Sequence, residues 1–182
     1  INGGGFTLTK VGDAMVNVRA AASNTTYVVS AGILRAENSP LALGTNTVTV
    51  NGGRLDSWGT LTWAVPVTLA TGTRLTSSSG TATWTGGLDI TGDVTLGGSS
   101  TTDVASVITG TGSLIKGDAG TVILSAANTY GGSTTLAQGF LRANHPGAFN
   151  TGTVTITNSL GSGSLIVNGG VTLPNNVGVG SG

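Results

Sequence analysis

Gly32-Ile33-Leu34-Arg35-Ala36 returns as Gly139-Phe140-Leu141-Arg142-Ala143, 107 positions further along the chain. The match widens on both sides. Leu8-Thr9-Lys10 corresponds to Leu114-Ile115-Lys116, Gly12-Asp13-Ala14 to Gly117-Asp118-Ala119, and Thr47-Val48-Thr49-Val50 to Thr153-Val154-Thr155-Ile156. A shorter period lies inside the long one: Leu34, Leu55, Leu75 and Leu96 are 21, 20 and 21 residues apart, with Gly32, Gly53, Gly72 and Gly92 two to four places before them. One leucine per coil, stacked on the same position of the next coil, is the signature of a solenoid. The ladder loosens towards Leu114, Leu141 and Leu165, which predicts coils of unequal length, and the 107-residue repeat would then hold about five coils.

Composition agrees. Glycine supplies 32 of 182 residues without a three-residue period, which excludes collagen, while 38% hydrophobic residues are too many for a disordered linker. Only 8% of residues are charged, and seven basic groups balance seven acidic ones, so there is no broad basic face for nucleic acid and no polybasic stretch for a membrane. Cysteine is absent, which removes disulfides and thiolate metal sites. No apolar run is long enough to cross a membrane as a helix. Ile1-Asn2-Gly3-Gly4-Gly5 carries no initiator methionine and no signal-peptide pattern, and the last residues stop in mid-pattern. We therefore read the chain as one stretch of a longer polypeptide or as a polymer subunit.

Short β-branched stretches recur throughout: Thr47 to Val50, Leu61 to Leu69 with Pro66 dividing it, Thr81 to Trp84, Val94 to Leu96, Thr121 to Ser125, Thr153 to Thr157 and Ser164 to Val167. Asn51-Gly52-Gly53 and Asn168-Gly169-Gly170 follow valine-ended strands and suit sharp corners. Helical periodicity is missing; Ala20-Ala21-Ala22 comes nearest and is interrupted by Ser23-Asn24. The fold class is all-β, a single-stranded parallel β-helix of about 20–21 residues per coil, running as one continuous solenoid over 1–182 with related stretches at about 5–50 and 112–157. A β-sandwich is the alternative, since it too is built of short strands and regular turns.

Gly112-Ser113-Leu114-Ile115-Lys116, Gly120-Thr121-Val122-Ile123-Leu124-Ser125, Asn128-Thr129-Tyr130, Thr134-Thr135-Leu136 and Gly139-Phe140-Leu141 follow one another in an order that resembles the autotransporter-associated β-strand repeat. Val122 stands where that family often has leucine, and Ala126 where it often has glycine. A degenerate copy covers roughly Gly5 to Ala36. The resemblance implies a right-handed β-helix in the secreted passenger of a bacterial surface protein, outer membrane-associated or extracellular, sometimes adhesive and rarely catalytic.

The residues offer little chemistry of their own. His145, the single histidine, sits in the turn-like Asn144-His145-Pro146-Gly147 with no carboxylate near it in sequence, a poor basis for a hydrolytic site. Among Asp13, Glu37, Asp56, Asp89, Asp93, Asp103 and Asp118 the one close pair is Asp89 with Asp93, and Gly86-Gly87-Leu88-Asp89 lacks the frame of a calcium-binding nonapeptide. Gly110-Thr111-Gly112, Gly161-Ser162-Gly163 and Lys116-Gly117 complete no nucleotide fingerprint. No catalytic residue, metal ligand or cofactor is assigned.

Three patterns bear on binding. Trp58, Trp63 and Trp84 cluster in the middle, the last two one coil apart; exposed they would offer a platform for sugar rings, buried they would fill a wide coil, and burial is the reading preferred for the pair. Arg35, Arg54 and Arg74 recur at nearly the coil period and would repel unless acids or an anionic ligand lay between them. Thr60-Leu61-Thr62 and Thr81-Ala82-Thr83 start a Thr-x-Thr ladder of the kind that orders water, but no third copy follows in register. The expected function is a non-catalytic structural or adhesive rod at a bacterial surface. Its partners would be itself, neighbouring coils or surface glycans, with Trp58, Trp63 and Trp84 as candidate contacts; a carbohydrate-binding or carbohydrate-active β-helix is the alternative.

Overall fold

The computed structural model describes residues 4–157 and 162–180. The expectation of a longer chain draws partly on Ile1-Asn2-Gly3 and Ser181-Gly182, which lie outside those residues, as does Gly161 of one glycine motif. Twenty-one short strands form three parallel sheets, and no helix occurs among the described residues. The first face holds β1 (Thr7–Lys10), β3 (Thr26–Val29), β5 (Val48–Val50), β8 (Val67–Leu69), β11 (Leu88–Ile90) and β14 (Ile108–Gly110). The second holds β2 (Met15–Val18), β4 (Ile33–Glu37), β6 (Arg54–Trp58), β9 (Arg74–Ser79), β12 (Val94–Gly98), β15 (Leu114–Lys116), β17 (Thr134–Leu136), β19 (Val154–Ile156) and β21 (Val177–Val179). The third holds β7 (Leu61–Trp63), β10 (Thr81–Trp84), β13 (Thr101–Val104), β16 (Thr121–Leu124), β18 (Gly139–Ala143) and β20 (Gly163–Val167). Each strand pairs with the strand one coil away, never with its chain neighbour, so the fold is a β-solenoid and not a sandwich.

The leucine ladder is real and longer than the sequence shows. On the second face Val16, Leu34, Leu55, Leu75, Leu96, Lys116, Leu136, Ile156 and Val179 stand in one register row, at steps of 18, 21, 20, 21, 20, 20, 20 and 23 residues. Leu34, Leu55, Leu75, Leu96 and Leu136 are fully buried. Sealing each leucine from water contributes about 1.5–3 kcal/mol. Eight such steps at about 4.8 Å give a stack of roughly 40 Å.

Two sequence expectations need correction. Leu114 lies in a different row of the second face, opposite Val94 and Thr134, while Leu141 and Leu165 pair on the third face. The apparent loosening is thus a change of face, and coil length stays within a residue of 20 from Leu34 to Ile156. The long repeat is displaced in the same way. β4 lies on the second face and its sequence copy β18 on the third; β1 lies on the first face and its copy β15 on the second. Five coils take Leu34 to Leu136, and the remaining five residues carry the chain round one corner to Leu141.

The corner within this repeat explains why the motif transfers between faces. Lys10 stands in an inward row of the first face, opposite Val29, and Lys116 in the leucine row of the second, between Leu96 and Leu136. Each folds its ammonium into the next corner. Lys10 Nζ donates to the carbonyls of Val11 (2.7 Å), Gly12 (2.5 Å) and Ala31 (3.0 Å); Lys116 Nζ donates to those of Gly117 (2.6 Å), Asp118 (2.8 Å) and Gln138 (2.9 Å). Three donors meet three carbonyls, which is how a buried ammonium is tolerated. By this geometry Gly12 is equivalent to Asp118, both left-handed at φ 69° and 64°, so the sequence match of Gly12-Asp13-Ala14 to Gly117-Asp118-Ala119 is one residue out of step.

Where a face lacks strands, side chains take over. Beyond β14 the first face is continued by asparagines: Asn128 accepts from the Ile108 amide (2.8 Å) and donates to the Ala148 carbonyl (2.7 Å), and Asn150 donates to the carbonyls of Tyr130 and Gly132. Asn175 donates to the Gly152 carbonyl at 2.7 Å. The core closes around Tyr27, Tyr130 and Phe149, with the Tyr27 hydroxyl donating to the Ala42 carbonyl at 3.2 Å and that of Tyr130 bonded to Thr134.

Candidate functional site

Trp63 and Trp84 are inward residues of β7 and β10, stacked with ring centroids 5.7 Å apart and 26° between planes, and both are buried. The Trp63 indole donates to Ser57 Oγ at 2.9 Å. This pair fills the coil and presents no ring to solvent. Trp58, at the end of β6, is different: its ring is 43% exposed and lies under the Arg35 guanidinium, 4.7 Å from the ring centroid. Of the three tryptophans it alone can touch a partner from outside.

Arg35 is fixed from two sides, because its Nε also donates to Asp56 Oδ2 at 2.6 Å. Asp56 is fully buried and additionally accepts from Thr76 Oγ1 (2.5 Å) and Ser78 Oγ (2.8 Å), so its carboxylate is saturated. The neighbouring Glu37 is held by Arg19 and by Asn17 Nδ2 at 3.2 Å. Arg54 and Arg74 are register partners on adjacent coils, and an acid does lie beside them: Arg74 pairs with Asp118. Burial alone would raise the Asp118 carboxyl. The hydrogen bonds from Arg74 and the Gly98 amide, with the charges of Arg74 and Lys116, outweigh that and hold it below the ordinary carboxylate value. No carboxylate among the described residues pairs with Arg54, whose Nε is buried without a partner.

The remaining candidates are dispersed. His145 lies in its turn with Nδ1 accepting from the Gly147 amide at 2.9 Å. Asp89 faces outward on the first face and accepts from Thr109 Oγ1 at 3.2 Å, while Asp93 contributes its backbone carbonyl to the Gly72 amide. A shallow groove of about 470 Å³ runs past Pro66, Gly87, Asp89 and Val107. The threonine ladder runs further than the sequence indicates, since Thr81, Thr101 and Thr121 are register partners, but the companion row passes from Thr62 and Thr83 to Asp103 and Ile123. The outer second face therefore holds the densest set of polar contacts: Arg35, Asp56 and Trp58 at one end of the strands, Arg54, Arg74 and Asp118 at the other. Sequence reading found the tryptophans and arginines but missed their acids. The 21-residue spacing of Arg35 and Asp56 was a visible signal for one pair; the 44 residues between Arg74 and Asp118 gave none.

A three-faced parallel solenoid whose charged groups are spent on coil-to-coil pairing defines a repeat-built surface rod. Comparison with known proteins places its repeat. Residues 114–143 match the Passenger-associated-transport-repeat, within the stretch where the sequence resembles an autotransporter passenger. Over 118 residues the chain is 34% identical to the Adhesin BmaC autotransporter of Brucella suis biovar 1 (strain 1330). The aligned part covers 62% of this chain and 3% of that relative's length. No solved structure matches.

Proposed function

We propose that this chain is an adhesive stretch of an autotransporter passenger, a stiff β-solenoid held outside the bacterial outer membrane that works by presenting its side faces to host or matrix molecules and catalyses no reaction. The similarity to a protein named an adhesin carries this reading, supported by a passenger repeat at 114–143 and by an outer face on which charges are fixed in place. Rigidity is part of the mechanism, because a stack paired along three faces exposes side chains without an ordering cost on contact. The end rungs support self-association as well: Val16 and Val179 belong to the inward row yet are 40% and 79% exposed, and a further coil, from the same polypeptide or another copy, would cover them.

The test is display of residues 1–182 on a non-adherent bacterium, counting cells retained on epithelial monolayers and on matrix-coated glass. Retention well above that of cells displaying an unrelated solenoid of similar length is expected. Equal retention would overturn the adhesive reading.

A further inference from the structure

We propose that the outer second face binds an acidic oligosaccharide, with Arg54 taking its sulfate or carboxylate and Trp58 stacking on a neighbouring sugar ring. The inference deepens the adhesive reading and rests on it. A hollow of about 320 Å³ opens beside Arg54, walled by Ser78, Gly98, Ser99, Asp118 and Gln138. Charge is unevenly placed there. Arg54, Arg74 and Lys116, three of the seven basic residues, surround this hollow, and Asp118 is the one acid on its wall, already engaged by Arg74 and the Gly98 amide. A chain with no net charge thus concentrates positive charge at one point of its surface.

Arg54 is the group left over. Arg35 has Asp56 and Arg74 has Asp118, whereas Arg54 has no ion-pair partner among the described residues and a buried Nε with nothing to donate to. A half-buried guanidinium with spare donors on a cavity wall fits a planar carboxylate or a sulfate by paired hydrogen bonds. The Gln138 side chain adds an amide donor to the same wall. Four residues further along the same strand stands Trp58, about 13 Å away at the usual rise of an extended chain. Its ring is locked by Arg35 and half open to solvent, so stacking a sugar on it costs little ordering. An anion site and an aromatic platform on one rigid strand, separated by the length of a short run of sugar rings, specify an acidic glycan over an isolated anion or a neutral sugar.

The test is calorimetric titration of the 182-residue chain with a heparin-derived tetrasaccharide, which carries sulfates, a hyaluronan tetrasaccharide, which carries only carboxylates, and neutral maltotetraose. Arg54→Gln, Arg54→Lys and Trp58→Ala variants are titrated alongside, each checked for an unchanged far-ultraviolet spectrum and melting curve. Expected is binding of at least one acidic tetrasaccharide that weakens with salt, tenfold or greater loss in Arg54→Gln, a smaller loss in Arg54→Lys, weakening in Trp58→Ala, and none for maltotetraose. Failure of both acidic tetrasaccharides to bind, or equal affinity in Arg54→Gln and the parent, would overturn the proposal. Retention of displaying cells without tetrasaccharide binding would remove this site and leave the adhesive reading standing; binding without retention would do the reverse.

Discussion

Lys116 and Gly139 form a single joint between coils: the ammonium donates to the carbonyl of Gln138, and a Cβ built on Gly139 would lie 2.8 Å from Nζ. Lys10 and Gly32 repeat the relationship at 2.7 Å, on the preceding face of the stack. The glycine is required twice over, because its φ of 74° is unfavourable for any side chain and the carbonyl of Asp118 is nearer still to the added carbon.

Gly139→Ala is therefore expected to cost about 1–3 kcal/mol, combining left-handed strain with the steric conflict. Urea unfolding measures it. Gly169, where an added Cβ meets nothing within 4 Å, is the control, and Gly169→Ala is expected to change stability by less than about 1 kcal/mol.

Alkaline stability should rise and then fall. Burial pushes the Lys116 ammonium down to about 8, with Asp118 opposing and Arg74 reinforcing the shift. Between about 8 and the ordinary lysine value of about 10.4 the unfolded chain holds a proton that the folded chain has released, so stability grows with pH. Burial also raises Tyr27 and pushes Tyr130 up to about 12, so above the ordinary tyrosine value of about 10 the unfolded chain ionises first and stability declines. Lys116→Met should abolish the rise and keep the decline, read as melting temperature against pH.

On the acid side Asp118 dominates in the opposite sense. Its carboxyl is held below the ordinary value, so the stabilisation it gives is complete above about pH 4 and is lost as pH falls through the folded-state value. Asp118→Asn should flatten that part of the acid-unfolding curve, although Asp103, raised chiefly by burial, contributes with the other sign in both proteins.

Fluorescence separates the three tryptophans. Trp63 and Trp84 are sealed and Trp58 is exposed, so acrylamide should quench one component and leave the other, and Trp58→Phe should delete the quenchable part. Trp84→Ala should cost about 3–5 kcal/mol by opening a cavity against Trp63.

Much of the fold was legible because a solenoid writes its period into the sequence. Leu34, Leu55, Leu75 and Leu96 gave the coil length, and Pro66 divided two strands as its missing amide requires. Which face a leucine serves was not legible. Leu136 and Leu141 are both inward, fully buried and five residues apart, and nothing in either side chain distinguishes the second face from the third. The lysines were also misleading, since Lys116 replaces a leucine in the ladder while its nitrogen finds carbonyls at the corner. On the candidate site, the tryptophan pair could be anticipated from its one-coil spacing. The isolation of Arg54 could not, because it depends on which of two stacked arginines reaches Asp118.

The central claim is that the stack advances one coil per 20 residues and that the 107-residue repeat is five coils plus one face. Because the chain has no cysteine, engineered pairs report proximity without background. Ile115 and Thr135 are outward register partners on adjacent coils of the second face, whereas a ladder running directly from Leu114 to Leu141 would place Ile115 against Arg142. Mild oxidation of the Ile115→Cys/Thr135→Cys double variant should give a disulfide in near-full yield, and the Ile115→Cys/Arg142→Cys variant should remain reduced. The reverse pattern would contradict the account.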